Sequence, residues 1–280
     1  MRTVDAGLIT RAVKEMCIEI NHKLSPDMAE AFDNALSAEE SVLGKCVLCQ
    51  LKENLEIAES EMIPICQDTG MAVVFADIGQ DVRIEGGFVT EAINEGVREG
   101  YDEGYLRKSV VGDPLIRKNT GDNTPAVIHY NIVPGDKVTL TLAPKGFGSE
   151  NMSRIYMLKP ADGIDGVKKA VLDAVAGAGP NACPPMVIGV GIGGTFEKCA
   201  LLAKKALTRE AGSPSPVAHV KRLEEELFEM INDTGIGPGG LGGTQTALAV
   251  NIETYPTHIA GLPVAVNICC HVNRHIKRTI

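Results

Sequence analysis

The chain has 280 residues, of which 44% are hydrophobic and 22% are charged, and its formal net charge is −9. No apolar stretch approaches the roughly 20 residues that a membrane helix needs, and the acidic balance offers no basic surface for nucleic acid. The composition therefore predicts a soluble globular protein that buries a substantial core, with neither a nucleic-acid nor a membrane partner.

The N-terminal segment MRTVDAGLITRAVKEMCIEI predicts an amphipathic helix rather than a signal peptide. Asp5, Lys14 and Glu15 interrupt its apolar residues, so it lacks the continuous apolar region of a secretory signal. We therefore expect the protein in the cytoplasm. Because cytosolic thiols are kept reduced, the eight cysteines are not expected to form a disulfide framework.

Residues 1–60 are predicted to be helical. Ser37 and Glu40 fit a capping box, in which each side chain accepts a hydrogen bond from the backbone amide of the other residue. The spacing of one buried helix face then recurs in Leu43, Cys46, Val47, Gln50 and Leu51. Cys46 and Cys49 form a C-x-x-C pair inside this helix with no second pair downstream, so they are predicted to be core residues rather than a zinc or redox site.

From Met71 onward the sequence predicts strands alternating with helices. The predicted strands are 71–78, 126–133, 137–143, 186–192, 246–252 and 262–269. The predicted helices are 88–103, 161–177, 195–209 and 217–233. Pro134-Gly135-Asp136 joins the second and third strands and predicts a hairpin. The expected fold is a mixed α/β architecture of α+β type, in which mixed or partly antiparallel sheets are flanked by helices. We expect residues 1–280 to form one domain, with 61–280 as its sheet and helix core.

Residues 189–194, GVGIGG, match the spacing G-x-G-x-x-G after a strand and before a helix. A dinucleotide fingerprint would also need a surrounding βαβ unit and an acidic residue after the next strand, and neither is evident. A tight strand-to-helix turn is the more economical interpretation, and a nucleotide-binding enzyme stays an alternative. Glycine and proline are concentrated in further loops where backbone could approach a bound molecule, namely 118–125, 144–151, 177–185 and 235–243.

Three cysteine-bearing segments lie at the ends of predicted strands. Cys66 lies in ICQDTG just before the strand at Met71, Cys183 lies in NACPPM before strand 186–192, and the doublet Cys269-Cys270 ends strand 262–269. Loops on a rigid scaffold often carry chemistry. Three thiolates in such settings suit an iron–sulfur cluster, although small buried cysteines are the plainer alternative.

Five blocks, in order along the chain, resemble those of the class I iron–sulfur hydro-lyases, which are the oxygen-sensitive fumarases and the related L(+)-tartrate dehydratases. The blocks are ICQDTG (65–70), KNTGDNTPA (118–126), KGFGSEN (145–151), ACPP (182–185) with GIGGT (191–195), and CCHVNR (269–274). Five ordered matches are far more specific than any one of them.

The resemblance implies a 4Fe-4S cluster held by three cysteines, with one iron left without a protein ligand. Carried over onto this chain, the ligands are Cys66, Cys183 and Cys270, the cysteine of C-x-x-x-R. Cys269 is then a buried neighbour, although the doublet leaves the register open. The three sulfur atoms are expected to meet around one hollow.

The resemblance also implies a pocket for a small dicarboxylate. The matching substrate-binding residues are Gln67, Arg107, Gly146 and Gly148, and Phe147 stands where the family often has a further glycine. Asp68 and His258 match positions that orient or exchange a proton, with the identity of the general base left open.

Single-chain members of the family continue into a second domain that closes over the cluster, whereas this chain ends at Ile280. The resemblance therefore implies the α subunit of a hetero-oligomer whose closing domain is a separate β subunit. The expected reaction is the reversible hydration of fumarate to L-malate. The alternatives are dehydration of L-tartrate to oxaloacetate and, from another class, a non-enzymatic iron–sulfur or zinc-binding module.

Overall fold

The computed structural model describes all 280 residues. Its α-helices are α1 (Ala6–His22), α2 (Pro26–Ala38), α3 (Val42–Glu61), α4 (Val89–Glu103), α5 (Phe147–Glu150), α6 (Gly163–Ala178), α7 (Phe196–Ala206) and α8 (Ala218–Asn232). Its strands are β1 (Arg2–Asp5), β2 (Met71–Gly79), β3 (Val82–Glu85), β4 (Val127–Val133), β5 (Val138–Lys145), β6 (Arg154–Leu158), β7 (Met186–Gly193), β8 (Ala247–Tyr255), β9 (Leu262–Cys269) and β10 (Ile276–Thr279). Short 3-10 turns occupy Pro160–Asp162, Gly179–Ala182 and Pro238–Gly240. None of the helices combines the length and apolarity that crossing a bilayer requires.

The chain folds as two compact units, each assembled from separated segments. The first unit comprises Met1–Ser25, Leu55–Gly146 and Arg274–Ile280, and the second comprises Pro26–Asn54 and Phe147–Asn273. The segments of each unit are far apart in sequence, so no linker along the chain marks this division. The single domain expected for residues 1–280 stays a prediction.

The first unit is built on a four-stranded sheet in the order β10-β5-β2-β4. One face of the sheet is buried under α1 and α4, where apolar side chains from both helices meet Val74, Leu140 and Leu142. A separate parallel pair joins β1 to β3. The carboxyl end of β5 therefore lies beside the residues just before β2, at one end of these two central strands, with Met71 opposite Lys145.

The predicted hairpin of β4 and β5 is wrong, because β2 lies between these two strands. β2 pairs in parallel with β4 and antiparallel with β5. Gly79 N donates to Lys137 O at 2.8 Å and Gln80 N donates to Val133 O at 2.8 Å, so the connection between β4 and β5 closes over the end of β2. β2 carries fully buried apolar residues along its core face, and the centre of the sheet is where that burial is obtained.

The second unit contains a four-stranded sheet in the order β6-β9-β7-β8. Helices α6 and α8 pack on one face through a large apolar core, and α7 packs on the other through Cys199, Ala203 and Ala265. β7 runs parallel to β8 and antiparallel to β9. Both units thus combine parallel and antiparallel pairing with flanking helices, which confirms the predicted mixed α/β class.

Two predictions for the helical N-terminal region are wrong. Ser37 lies in the last turn of α2 and donates to Asp33 O at 2.8 Å, so it does not begin a helix. Ser41 caps α3 instead, accepting from Gly44 N at 3.2 Å. Cys46 and Cys49 are exposed rather than buried.

Helix α3 buries a different stripe from the one that the apolar spacing indicates. Leu48 and Ala58 are each 1% exposed, whereas Leu43 is 50% exposed. The helix also passes from the second unit into the first at Leu55, so no single face of it packs against one core along its whole length. Apolar periodicity predicts the buried face of a helix only where one face packs against one core, and for α3 it indicated the wrong face.

Candidate active site

The segment Cys66–Gly70 forms a loop between α3 and β2 in the first unit. Its backbone is held by Tyr101, whose hydroxyl donates to Thr69 O at 2.8 Å and to Gly70 O at 3.0 Å. Tyr101 is fully buried, and burial raises its pKa, so the phenol keeps its proton for this role at neutral pH. Cys66 is half-buried, with its Sγ 3.6 Å from Gln67 Oε1. The loop is therefore fixed while its thiol stays accessible.

Asn123 joins this loop to the segment that carries Arg107. It is fully buried, its Nδ2 donates to Gly70 O at 3.1 Å, and its Oδ1 accepts from Ser109 N at 2.7 Å. Thr69 Oγ1 also donates to Arg107 O at 3.1 Å. The structure thus brings the backbone of Arg107 beside the predicted pocket residues, and the Arg107 side chain is exposed. Asn123 lies in the motif KNTGDNTPA, and its role in joining the two segments is evident only from these hydrogen bonds.

Asp68 is placed by contacts from both ends of the chain. Its Oδ1 accepts from Gly70 N at 3.1 Å, which orients the carboxylate. Arg274, only 2% exposed, donates through Nη2 to Asp68 O at 2.9 Å and through Nη1 to Asn21 Oδ1 at 2.7 Å. Arg274 ends the C-x-x-x-R motif that begins at Cys270, and its contact with Asp68 is a role that the motif does not indicate.

Gly146 lies directly against the Asp68 carboxylate. A Cβ placed on Gly146 would come within 3.0 Å of Asp68 Oδ2 and 3.7 Å of Arg274 Nη2. A larger residue at this position would therefore require the carboxylate to shift by a few tenths of an ångström. The structure thereby brings together two residues that the resemblance assigns to substrate binding and proton transfer. Gly148, by contrast, lies in α5 of the second unit, where a Cβ added to it would meet no atom within 4 Å.

Cys183 lies in a tight turn before β7 in the second unit. It is exposed, and its φ of 51° places it in the left-handed region. Its N donates to Pro180 O at 3.1 Å, and its carbonyl oxygen accepts from His271 N at 3.4 Å and lies 3.0 Å from His271 Nδ1. His271 follows Cys270 directly, so Cys183 and Cys270 are brought to the same end of the sheet.

The Cys269-Cys270 doublet is divided by the end of β9. Cys269 pairs with Val187 inside the sheet and is 3% exposed. Cys270 follows the strand and is half-buried. Only the second thiol is therefore available to a ligand beyond the sheet.

His258 lies at the other end of the same sheet. It is exposed in the connection between β8 and β9, where its Nδ1 accepts from Ala260 N at 3.2 Å. Because β9 starts at Leu262 and ends at Cys269, its length of about 25 Å separates the His258 connection from Cys270 within the unit. The structure does not bring His258 to the cysteines of its own unit.

The turn that carries Cys183 is hydrogen-bonded to the glycine-rich segment 235–245. Gly239 N donates to Pro184 O at 2.8 Å. The far end of the segment is held by Glu39, 1% exposed, whose carboxylate accepts from Thr244 N at 2.9 Å and from Gln245 N at 2.9 Å. Although burial disfavours its charged form, these amides and that of Ser41 outweigh the effect and lower the pKa of Glu39.

We expect Glu39→Gln to destabilise the protein by about 2 kcal/mol, because the buried amides lose a charged acceptor. A group whose pKa is lowered by folding stabilises the folded state above its unfolded pKa and loses that effect as pH falls. The difference in urea midpoint between wild type and variant should therefore be full at pH 7 and shrink below about pH 4.5. Glu40→Gln, at the exposed neighbouring position, is the control and should leave the midpoint unchanged. A pH-independent difference would contradict this account.

Neither unit by itself contains three or more His, Cys, Asp or Glu side chains grouped to hold a metal ion. Cys66 belongs to the first unit, and Cys183 and Cys270 belong to the second. Three thiols are a donor set that suits an iron–sulfur cluster, and all three lie outside the buried core, unlike Cys17, Cys199 and Cys269. Cys46 and Cys49 on α3 are exposed as well, so exposure alone does not select the set. Convergence of the three sulfur atoms stays a prediction.

Comparison with known proteins extends the motif matches to nearly the whole chain. Residues 10–279 match the family model for Fumarate hydratase (Fumerase). The chain is 43% identical over 277 residues to "Putative L(+)-tartrate dehydratase subunit alpha" of Methanocaldococcus jannaschii, covering 96% of this chain and 97% of that protein. It is 31% identical over 270 residues to L(+)-tartrate dehydratase subunit alpha of Escherichia coli K12, covering 95% of this chain and 88% of that protein. These matches confirm the resemblance read from the sequence. The chain therefore belongs to the fumarate hydratase (Fumerase) family of hydro-lyases.

Proposed function

We propose that this chain is the catalytic α subunit of an iron–sulfur hydro-lyase that reversibly hydrates fumarate to L-malate in the cytoplasm. The observation that carries the proposal is the arrangement around Asp68. Gly70 N orients its carboxylate, the buried Arg274 holds its backbone carbonyl, and a Cβ added to Gly146, in the predicted substrate loop, would lie 3.0 Å from its Oδ2. The family match over residues 10–279 supports the reaction class.

We propose that Cys66, Cys183 and Cys270 hold a 4Fe-4S cluster. When bound, such a cluster with one iron lacking a protein ligand supplies a Lewis acid for the substrate's oxygen atoms. The accessibility of all three thiols supports this set, and the burial of Cys269 inside β9 favours Cys270 over its neighbour.

The remaining pocket residues would bind a dianion and move a proton. Arg107 and Gln67 are exposed next to the fixed Asp68 loop, where a guanidinium and an amide can bind carboxylate oxygens. Backbone amides at Gly146 and Gly148 would add further donors. Asp68 would hold or accept the proton, since its carboxylate is fixed in orientation yet only partly buried.

His258 is the second residue proposed to orient or exchange a proton, but it lies far from Cys270 of its own unit. Since β9 separates it from Cys270 in its own unit, His258 would reach a substrate held near Cys270 only in a second copy of the chain. Within one chain the geometry favours Asp68 for this step.

We further propose that a separate β subunit completes the site, as the name "subunit alpha" of the relatives suggests for those proteins. The isolated chain should then bind a cluster, with a broad absorbance band near 400 nm, and show little turnover. Adding the β subunit should restore activity. High fumarate hydratase activity of the isolated chain would refute the division of labour.

The second candidate function is dehydration of L(+)-tartrate to oxaloacetate, which the names of both relatives favour. Malate and tartrate differ by one hydroxyl, and a site that hydrogen-bonds this hydroxyl can discriminate strongly between them. The ratio of kcat/KM for malate and tartrate, measured anaerobically with the β subunit, decides between the two. We expect fumarate and malate to be preferred, and a higher kcat/KM for tartrate would reverse the assignment.

A further inference from the structure

Lys145 is a buried ammonium without an acceptor. It ends β5, is 2% exposed, and its Nζ is buried with no hydrogen-bond partner. A lysine is among the residues least often found fully buried, and when it is, its charge is normally paired. Here the chain itself supplies no partner.

The position of Lys145 ties it to the Asp68 site of the same unit. Its backbone lies against Gly70, where an added Cβ would come within 2.8 Å of both Lys145 N and Lys145 C. Gly70, with φ of 79°, tolerates this close approach and the strained conformation that accompanies it. On its other side Lys145 is followed by Gly146, where an added Cβ would lie 3.0 Å from Asp68 Oδ2. Lys145 therefore stands between the two loops that carry the proposed proton and substrate groups.

Arg274, which contacts Asp68, is a second buried cation with a nitrogen that lacks a hydrogen-bond partner. Arg274 uses Nη1 and Nη2 for Asn21 and Asp68, but its buried Nε has no partner. Two buried cationic side chains of the first unit, Lys145 and Arg274, therefore each keep a nitrogen without an acceptor. An unpaired buried charge costs stability, so its retention calls for an anion that binds there.

We propose that Lys145 is a further substrate-binding residue, whose ammonium pairs with one carboxylate of the dicarboxylate substrate. This inference rests on the proposed hydro-lyase function and adds a binding group to it. The four-carbon stem of lysine is flexible, so Nζ can turn toward an anion beside Gly146 while the backbone of β5 stays fixed. Binding would then give the ammonium the acceptor that the substrate-free chain lacks.

The test uses the chain assembled with its β subunit and loaded with cluster. Lys145→Met removes the charge at similar length, and Lys145→Arg keeps it. Lys137→Met is the matched control, since Lys137 is exposed just before the opposite end of β5. We expect Lys145→Met to raise KM for malate roughly 30-fold or more, with the 400 nm band unchanged, and Lys145→Arg to recover part of the loss.

Thermal unfolding separates a binding role from a structural one. Without ligand, Lys145→Met should unfold at the same temperature as wild type or roughly 3 °C higher, because an unpaired buried charge has been removed. Malate should raise the Tm of wild type and of Lys137→Met, and fail to raise that of Lys145→Met.

An unchanged KM and an equal malate-induced Tm shift in Lys145→Met would overturn the assignment. So would loss of the 400 nm band in this variant, which would place Lys145 with the cluster instead of the substrate. A wild-type complex that binds no cluster and turns over neither malate nor tartrate contradicts the proposed function itself, and the malate-induced Tm shift then still decides the role of Lys145.

Discussion

Cys270→Ala is expected to abolish the 400 nm band and reduce turnover to background, whereas Cys269→Ala leaves both in place. The reason is the end of β9, which puts Cys269 inside the sheet opposite Val187 and leaves Cys270 just beyond it. A cluster that keeps one iron open has only three protein thiolates, so loss of one cannot be compensated by the others. Anaerobic reconstitution followed by absorbance and iron analysis measures the result.

The neighbouring substitution makes the experiment internally controlled. Cys269→Ala removes a buried sulfur and should cost about 1 kcal/mol of stability through the small cavity left behind, without loss of iron. Cys46→Ala, at an exposed thiol on α3, should affect neither stability nor iron. If Cys269→Ala loses the band while Cys270→Ala keeps it, the ligand register is shifted by one residue and the proposed site must be rebuilt.

The same reasoning applies to Cys183, with one structural complication. Its φ of 51° lies in a region that alanine adopts with strain, so Cys183→Ala mixes loss of a ligand with distortion of the turn. Cys183→Asn is the better variant for backbone geometry, because asparagine tolerates the left-handed region. Loss of the band in this variant would report on the thiol itself.

Local sequence patterns predicted the positions of strands and helices better than the pairing of strands within each sheet. The strand 71–78 was expected from its apolar, β-branched residues and is found as Met71–Gly79. The pairing of 126–133 with 137–143 was not correct, because a Pro-Gly-Asp connection is compatible both with a hairpin and with a loop that passes over an intervening strand. Which of these forms depends on β2, some fifty residues earlier in the chain.

The residues of the candidate site also form two groups, those that sequence motifs identify and those that only the structure reveals. The family resemblance identified Gln67, Asp68 and Gly146, because these residues lie in short contiguous motifs that can be matched along the chain. Asn21, Asn123 and Arg274 act through hydrogen bonds to residues distant in sequence, and nothing in their immediate surroundings signals those partners. Lys145 begins the motif KGFGSEN, but only its burial without an acceptor indicates a role for it.

Asp68→Asn is expected to lower kcat by about 10²- to 10⁴-fold, the usual contribution of a positioned proton-transfer group. The amide has nearly the same shape and can still accept from Gly70 N through its oxygen, so the loop should keep its conformation. Cluster absorbance should be unchanged, and KM should change little, because Arg274 contacts the backbone carbonyl of residue 68 rather than its side chain. The measurement is a steady-state comparison of kcat and KM for malate in the assembled enzyme.

Asp77→Asn is the matched control, since Asp77 is a partly buried carboxylate on β2 of the same unit, bonded to Asn131 away from the site. It should retain wild-type kcat. A large rise in KM with unchanged kcat in Asp68→Asn would assign residue 68 to substrate binding and leave the proton to another group. Because His258 lies beyond the opposite end of β9, that group would then have to come from the β subunit or from a second copy of this chain.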